Sequence, residues 1–254
     1  MKGISSMNQK YSLVRDTLDS RDLKFSVAPI EVLPAQVDLR PRMPAVYDQG
    51  QLGSCSGNAV AAAFQYDQLK ESITSWTPSR LFIYYNERLL EGTTNKDDGA
   101  QLRDGIKVIS TYGVCDESIW VYDIAKFTQK PSDEAYSQAK LHTALLYQRV
   151  DQTLSALKHA LASNFPVVVG ITLFDAFESQ EVAESGIVPM PHPTDNCLGG
   201  HAVVVVGYDD AKQLFTMRNS WGPDWGDQGY FYLPYEYLTN PQFGMDYWVV
   251  TSVQ

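Results

Sequence analysis

Three side chains spread along the 254-residue chain have the types that nucleophilic catalysis needs: Cys55, His201 and Asn219. Cys55 follows the glycine-broken loop Gln49-Gly50-Gln51-Leu52-Gly53-Ser54 and opens an alanine-rich stretch that runs past Ala63. Alanine has the highest helix propensity and nothing after Gly57 interrupts a helix, so the sequence predicts one from Cys55 to about Glu71. Small side chains on most of its faces mark this helix as buried and central. Cys55 then falls in the first turn, with Gly53 or Ser54 as N-cap. There, free N–H groups and the positive end of the helix dipole favour a thiolate. A lone unpaired cysteine is most often a small buried hydrophobe, so its partners decide the matter.

The partners sit on one predicted hairpin. His201 heads the strand Ala202 to Val206, Asp209-Asp210-Ala211 reads as a turn, and the return strand ends at Arg218-Asn219. With a loop over 209–211, Tyr208 faces Lys212 and His201 faces Asn219, their Cβ atoms about 5 Å apart. An amide oxygen accepting from one ring nitrogen would fix the tautomer and present the other nitrogen. Taken singly, His201 reads as a core histidine and Asn219 as a strand-end residue. Together with a thiol at a helix start they are the parts of a cysteine nucleophile system. Gln49, in the same loop as Cys55, is placed to offer a side-chain N–H to an oxyanion beside the Cys55 N–H.

Several elements must position these groups. Thr77-Pro78-Ser79 starts a second helix over 81–90, and Gly92 to Gly99 is a loop. A third helix around Ile106, Val108, Ile109 and Tyr112 stops at Gly113, and further helices are expected over 133–146 and 152–163. From Pro166 the texture changes to short β-branched or aromatic runs at 167–173, 202–208, 214–218, 229–233 and 247–250, the pattern of an antiparallel sheet or open barrel. The fold class is therefore α+β, a helical part followed by a β part.

Composition narrows the partners. The net charge of −10, with no Lys/Arg cluster, argues against nucleic acid. No run approaches the roughly 18 apolar residues of a membrane span. Met1 to Tyr11 shows no apolar signal core, which points to a cytoplasmic protein or one exported without a signal peptide. Cys55, Cys115 and Cys197 leave at most one disulfide, Cys115 to Cys197, if Cys55 stays free; a reducing compartment without disulfides is the simpler reading. His142, His159, His192 and His201 form no metal-spaced cluster, and no cofactor is implied.

The motifs Gln49-Gly50, Gly53-Ser54-Cys55, Gly200-His201-Ala202-Val203 and Asn219-Ser220-Trp221-Gly222-Pro223-Asp224-Trp225-Gly226-Asp227-Gln228-Gly229-Tyr230 together resemble the papain family of cysteine peptidases. His201 and Asn219 follow Cys55 in the family's order. The resemblance covers roughly residues 33–250 and implies a helical left lobe (about 46–150), an antiparallel β-barrel right lobe (about 151–254) and a cleft between them. It implies a thiol endopeptidase acting on proteins or peptides: Cys55 as nucleophile, His201 as acid and base, Asn219 as orienter, Gln49 at the oxyanion and Trp221 shielding the Asn219–His201 bond. Rival readings are an acyltransferase or transpeptidase with the same site, and a silent peptide-binding protein. By the same resemblance Gly99, Ala100 and Leu102 lie along an extended peptide, and Leu102, Gly170, Gly200 and Ala202 line the main pocket, which would take a bulky apolar side chain. Two departures stand out: Leu52 replaces a familiar cysteine, and Ser56 replaces the tryptophan that follows the nucleophile.

Residues 1–35 precede the peptidase domain (36–254). They mix Arg15, Asp16, Asp19, Arg21, Asp22 and Lys24 with Leu18, Leu23 and Phe25, and end in Pro29 and Pro34. They read either as a tail or as an extended leader, a short inhibitory prosegment bound in cis at the cleft that would keep the protein a zymogen. Of the three thiols, Cys55 is expected to be the most reactive.

Overall fold

The structure, a computed structural model, describes residues 10–28 and 30–253. The first nine residues of the leader and Pro29 lie outside the described residues, as does most of the segment read for a signal peptide.

The alanine-rich stretch forms α1 (Cys55–Lys70), buried along nearly its whole length. It packs on a sheet on one side and on α2 (Arg80–Glu91) and α3 (Leu102–Thr111) on the other. Small residues permit the close approach. A side chain at Gly57 would meet the Arg80 carbonyl at 2.9 Å and the Tyr84 nitrogen at 3.3 Å, so α2 passes against bare backbone there. Ser79 caps α2 through Phe82 N, and Gly92 closes it in the left-handed conformation at φ 73°.

The first departure from the sequence reading comes beyond α3. The helix expected over 133–146 stops early, as α4 (Asp133–Ala139), and Ala144–Arg149 is a strand, β2. Tight turns follow α4 (Leu141 N to Gln138 O, His142 N to Ala139 O). Val114 N then takes the His142 carbonyl and directs the chain out to the sheet edge. Pairing with another strand overrides local propensity here. After α5 (Leu154–Ala162) come β3 (Val167–Phe174), the short α6 (Gln180–Ser185), β4 (Cys197–Asp209), β5 (Leu214–Arg218), β6 (Tyr230–Pro234), α7 (Tyr235–Thr239) and β7 (Gly244–Val253).

The sheet runs β2-β7-β3-β4-β5-β6, all antiparallel, with β1 (Gln36–Asp38) added on β4 at Gly207–Asp209. The expected α+β, papain-like organisation is present, but the barrel is not closed. Both outer edges are already occupied by irregular chain. At β2, Leu23 O takes Arg149 N and Phe25 N donates to Arg149 O; at β6, Gly186 O and Val188 N bond Tyr232. Covered edges have no free ladder groups with which to meet.

The hairpin register also differs from the expected one. Asp209 Oδ1 accepts from Ala211 N and Lys212 N, which lengthens the loop to 210–213, and Asp209 faces Leu214. A bulge at Val206 then shifts the ladder by one, so Val204 faces Arg218. Continued, this register sets Asn219 against Val203, two residues from His201 on the same face.

The leader is extended across the molecule and anchored by buried charge. The Asp16 carboxylate accepts from Arg103 N at 2.9 Å, Trp248 Nε1 at 2.8 Å and Arg149 Nη2 at 2.8 Å, while Asp16 N donates to Asp246 at 2.8 Å. Asp22 pairs with both Arg103 and Arg149, and Arg149 lies 4.2 Å over the Trp248 ring. Removing one member of a buried, hydrogen-bonded ion cluster costs about 3–5 kcal/mol. Asp16→Ala is therefore expected to release residues 10–28 while the sheet stays folded. Hydrogen exchange read by peptide should show lost protection over 10–28; full protection there would refute the anchoring role.

Candidate active site

Cys55 is the first residue of α1. Ser54 precedes it as N-cap, but its hydroxyl is engaged by Tyr122 (2.5 Å), so the first N–H groups of the helix stay free. The Cys55 sulfur meets the backbone N–H groups of Cys55, Ser56 and Ala202. That last contact joins α1 to β4 at the residue after His201. His201 Nε2 lies 2.8 Å from Asn219 Oδ1, and Ser220 N donates to the same oxygen at 2.9 Å. Two donors identify the atom as oxygen, so Nε2 carries the proton and Nδ1 keeps its lone pair. Among the described residues Nδ1 has no hydrogen-bond partner. The contact survives the altered register because an imidazole spans the diagonal between neighbouring strands.

Gln49 is zipped to the same region. Its N–H donates to Ser220 O at 2.8 Å, and Oε1 accepts from Ser220 Oγ at 2.6 Å. This fixes the amide, whose Nε2 donates to Leu52 O at 3.0 Å and retains a second N–H. Trp221 stacks at a tilt on His201, 5.2 Å between centroids, and is backed edge-on by Phe177 and Trp225.

The leader fills the space in front of these groups. Leu13 N donates to Gly200 O (3.1 Å) and Val14 N to Ala100 O (3.3 Å). Tyr11 packs edge-on against His201 at 6.4 Å and reaches Glu178 Oε1 with its hydroxyl at 2.5 Å. The seam works because it lacks side chains. A Cβ at Gly99 would lie 1.8 Å from Ser12 O, and one at Gly200 2.7 Å from Leu13 O. Leu13 itself is only 9% exposed, its Cδ2 2.6 Å from where a Cβ on Gly170 would be.

Of the residues expected along a bound peptide, Gly99, Ala100, Gly170 and Gly200 therefore meet the leader. Leu102 is buried at the start of α3, and Ala202 faces Gly170 across the ladder and Cys55 through its backbone. Met245, which faces Gly170 from β7 and would touch a Cβ there at 2.7 Å, lies against the same glycine as Leu13. Sequence reasoning missed it, since only the β3–β7 register identifies it. Among the described residues no group of three His, Cys, Asp or Glu is arranged to hold a metal, and no helix is long and apolar enough to cross a membrane.

Burial dominates the electrostatics. It pushes the Cys55 thiol up to about 12, against the helix-start N–H groups that favour the anion, and pushes His201 down to about 4. With the leader in place, thiol and imidazole are both neutral.

A helical layer and antiparallel sheet with thiol and imidazole at their junction define the cysteine-protease class, and the comparisons agree. Residues 33–249 match the family described as papain family cysteine protease. The chain is 42% identical over 253 residues to an uncharacterized peptidase C1-like protein of Acanthamoeba polyphaga mimivirus, covering 94% of this chain and 81% of the other. It is 40% identical to xylellain, a cysteine protease from Xylella fastidiosa, with a TM-score of 0.90 and 97% of each chain covered. It also shares its fold with a digestive procathepsin L of Tenebrio molitor at 22% identity and a TM-score of 0.73, over 97% of this chain and 77% of that one. The chain belongs to the papain family of cysteine proteases.

The order of thiol reactivity expected from sequence alters in the covered form. All three cysteines are free; Cys55 and Cys115 are buried and Cys197 is exposed. Brief iodoacetamide treatment of the full chain at neutral pH should modify Cys197 first. Leu13→Asp, which places a charge in an apolar pocket, should bring Cys55 into reach. Equal labelling of Cys55 and Cys197 in the unaltered chain would contradict the covered geometry.

Proposed function

We propose that this cysteine protease cleaves peptide bonds, as an endopeptidase, through Cys55 and His201, with its leader restraining the reaction in cis. One observation carries the reading: the thiol that begins α1 faces the backbone N–H of Ala202, the residue after His201, while Asn219 holds His201 by Nε2 at 2.8 Å. Once the cleft is open, proton transfer from thiol to Nδ1 gives a thiolate and an imidazolium. The thiolate attacks the peptide carbonyl, and the oxyanion is met by the Cys55 N–H and the free N–H of Gln49. His201 returns its proton to the leaving amine, and water, deprotonated by the same ring, releases the thioacyl enzyme. Asn219 orients the ring, and Trp221 keeps water from the hydrogen bond that does so.

The substrate is an extended peptide. Its main chain takes the places of Leu13 N and Val14 N at Gly200 O and Ala100 O, and a bulky apolar side chain takes the Leu13 pocket beside Gly170 and Met245. Reversal of that occupancy is the regulatory step. The family match begins at residue 33, past most of the leader, which supports reading the leader as a segment apart from the catalytic fold.

The test uses one fluorogenic peptide with leucine or phenylalanine in the second position before the cut. A chain beginning at Leu33 should show higher kcat/KM than the full chain, and added leader peptide should inhibit it. Cys55→Ala should abolish turnover, and His201→Ala should lower it about 10²–10⁴-fold, the usual worth of general acid–base catalysis. Equal kcat/KM with and without the leader would refute the restraint, and turnover by Cys55→Ala would refute the nucleophile.

A further inference from the structure

One buried ionisable group plays no part in the chemistry above. Glu87, on the face of α2 toward α1, is 0% exposed. Its Oε2 accepts from Ser56 Oγ at 2.6 Å, and Ser56 is the residue directly after Cys55. Its Oε1 has no partner among the described residues. That oxygen lies under α3, where a Cβ on Gly105 would come within 2.3 Å of it and within 3.0 Å of Val60 Cγ2. Ser56 stands where the papain family usually has tryptophan. A hydroxyl there leaves both room and a hydrogen-bond donor for a carboxyl behind the nucleophile, and a glycine at 105 completes the fit.

We propose that Glu87 is a positioning residue that holds the start of α1 through Ser56 and, when ionised, suppresses the Cys55 thiolate. This rests on Cys55 being the nucleophile. The surroundings decide which protonation state prevails. Tyr84, Arg88 and Glu91 lie on Glu87's own helix, Asp104 faces it from α3, and Cys55 and Ser56 face it from α1. Burial raises Glu87 to about 8; the Ser56 hydrogen bond opposes the rise, Glu91 and Asp104 add to it, and Arg88 offsets part. Glu91 is raised in turn to about 7, mainly by burial and with Asp104 adding to the rise.

The sign follows. Below pH 8 Glu87 is protonated and neutral, and the thiolate meets no opposing charge. Above pH 8 it becomes a buried anion beside Cys55, and its charge raises the thiol further. His201 is shifted by burial and by its bond to Asn219, with no contribution from Glu87. Alkaline pH, which ordinarily frees thiolate, is thereby made less effective.

The experiment compares the pH dependence of Cys55 carbamidomethylation, followed by peptide mass spectrometry from pH 6 to 10. The full chain carries Leu13→Asp in both arms to open the cleft. Glu87→Gln keeps the shape and the hydrogen bond but cannot ionise. Its rate should match that of the Glu87 chain below pH 7 and exceed it above pH 9 by about three- to tenfold, tenfold being one pKa unit. A purely structural role would displace the two curves equally at every pH. Parallel or superimposed curves would overturn the proposal. Ser56→Ala, which removes a bond that lowers Glu87, should move the alkaline suppression to higher pH; no movement would also count against it. Turnover surviving Cys55→Ala would instead sink the nucleophile assignment beneath it, and so the two failures are distinguishable.

Discussion

The seating of α1 against β4 constrains everything else around the site. A helix with almost no solvent face gains from pairing the polar groups it carries, because an unpaired buried group costs about 1–3 kcal/mol. Ser54 is engaged by Tyr122, Ser56 by Glu87, Asn58 by Arg80 and Gln65 by Tyr47. Arg80 in turn binds Glu117 and the Asp48 carbonyl and stacks over Tyr47 and Tyr122. The loop bearing Gln49 is thus held to the helix that Cys55 begins. Arg218 reaches the carbonyls of Pro44 and Ala45 and ties the same loop to β5. Segments far apart in sequence converge because one helix end requires them.

The leader takes part in the same economy of hydrogen bonds. Gly99, Gly199 and Gly200 offer bare backbone to Tyr11, Ser12 and Leu13, and farther along Leu23 and Phe25 satisfy the outer edge of β2. One segment therefore covers both the cleft and a sheet edge. Between them Asp16 and Asp22 bridge to Arg103 on α3 and Arg149 on β2. The arginines face these acids from opposite layers, so the leader also clamps the helical layer to the sheet.

Much of this was legible in the chain. The start of α1 follows from glycine giving way to alanine, α2 and α3 from their stop signals, and most strands from β-branched runs. The motifs around Cys55, His201 and Asn219 marked residues that the fold does bring to one place. What stayed hidden depends on tertiary pairing. The strand at 144–149 looks helical because its partner β7 lies a hundred residues away. The Asp209 side chain, bonding to the turn backbone, altered a hairpin register that alternation alone could not fix. Met245 and Glu87 carry no local signature: one is recognised only across a ladder, the other only because two helices pass over it.

Covering the site and charging it oppose one another. Burial raises the thiol from 9.0 to about 12 and lowers the imidazole from 6.5 to about 4. A raised acid favours the buried state below its ordinary value, and that advantage fades as pH climbs through 9 toward 12. A lowered base favours it above its own ordinary value, and that advantage fades as pH falls through 6.5 toward 4. The neutral pair thus suits the covered form best between about pH 6.5 and 9. Asp22 adds to the acid side. Burial works to raise it, but the hydrogen bonds from Arg103 and Arg149 hold it below the usual carboxylate range, so its contribution is present above that range and lost in acid. Coupling is reciprocal, so by as much free energy as the cover disfavours the thiolate and imidazolium of the proposed mechanism, forming that pair disfavours the cover. In that mechanism a peptide entering the cleft competes with the leader for backbone contacts. The ion pair competes with it for solvation, and the two competitions favour the same open state.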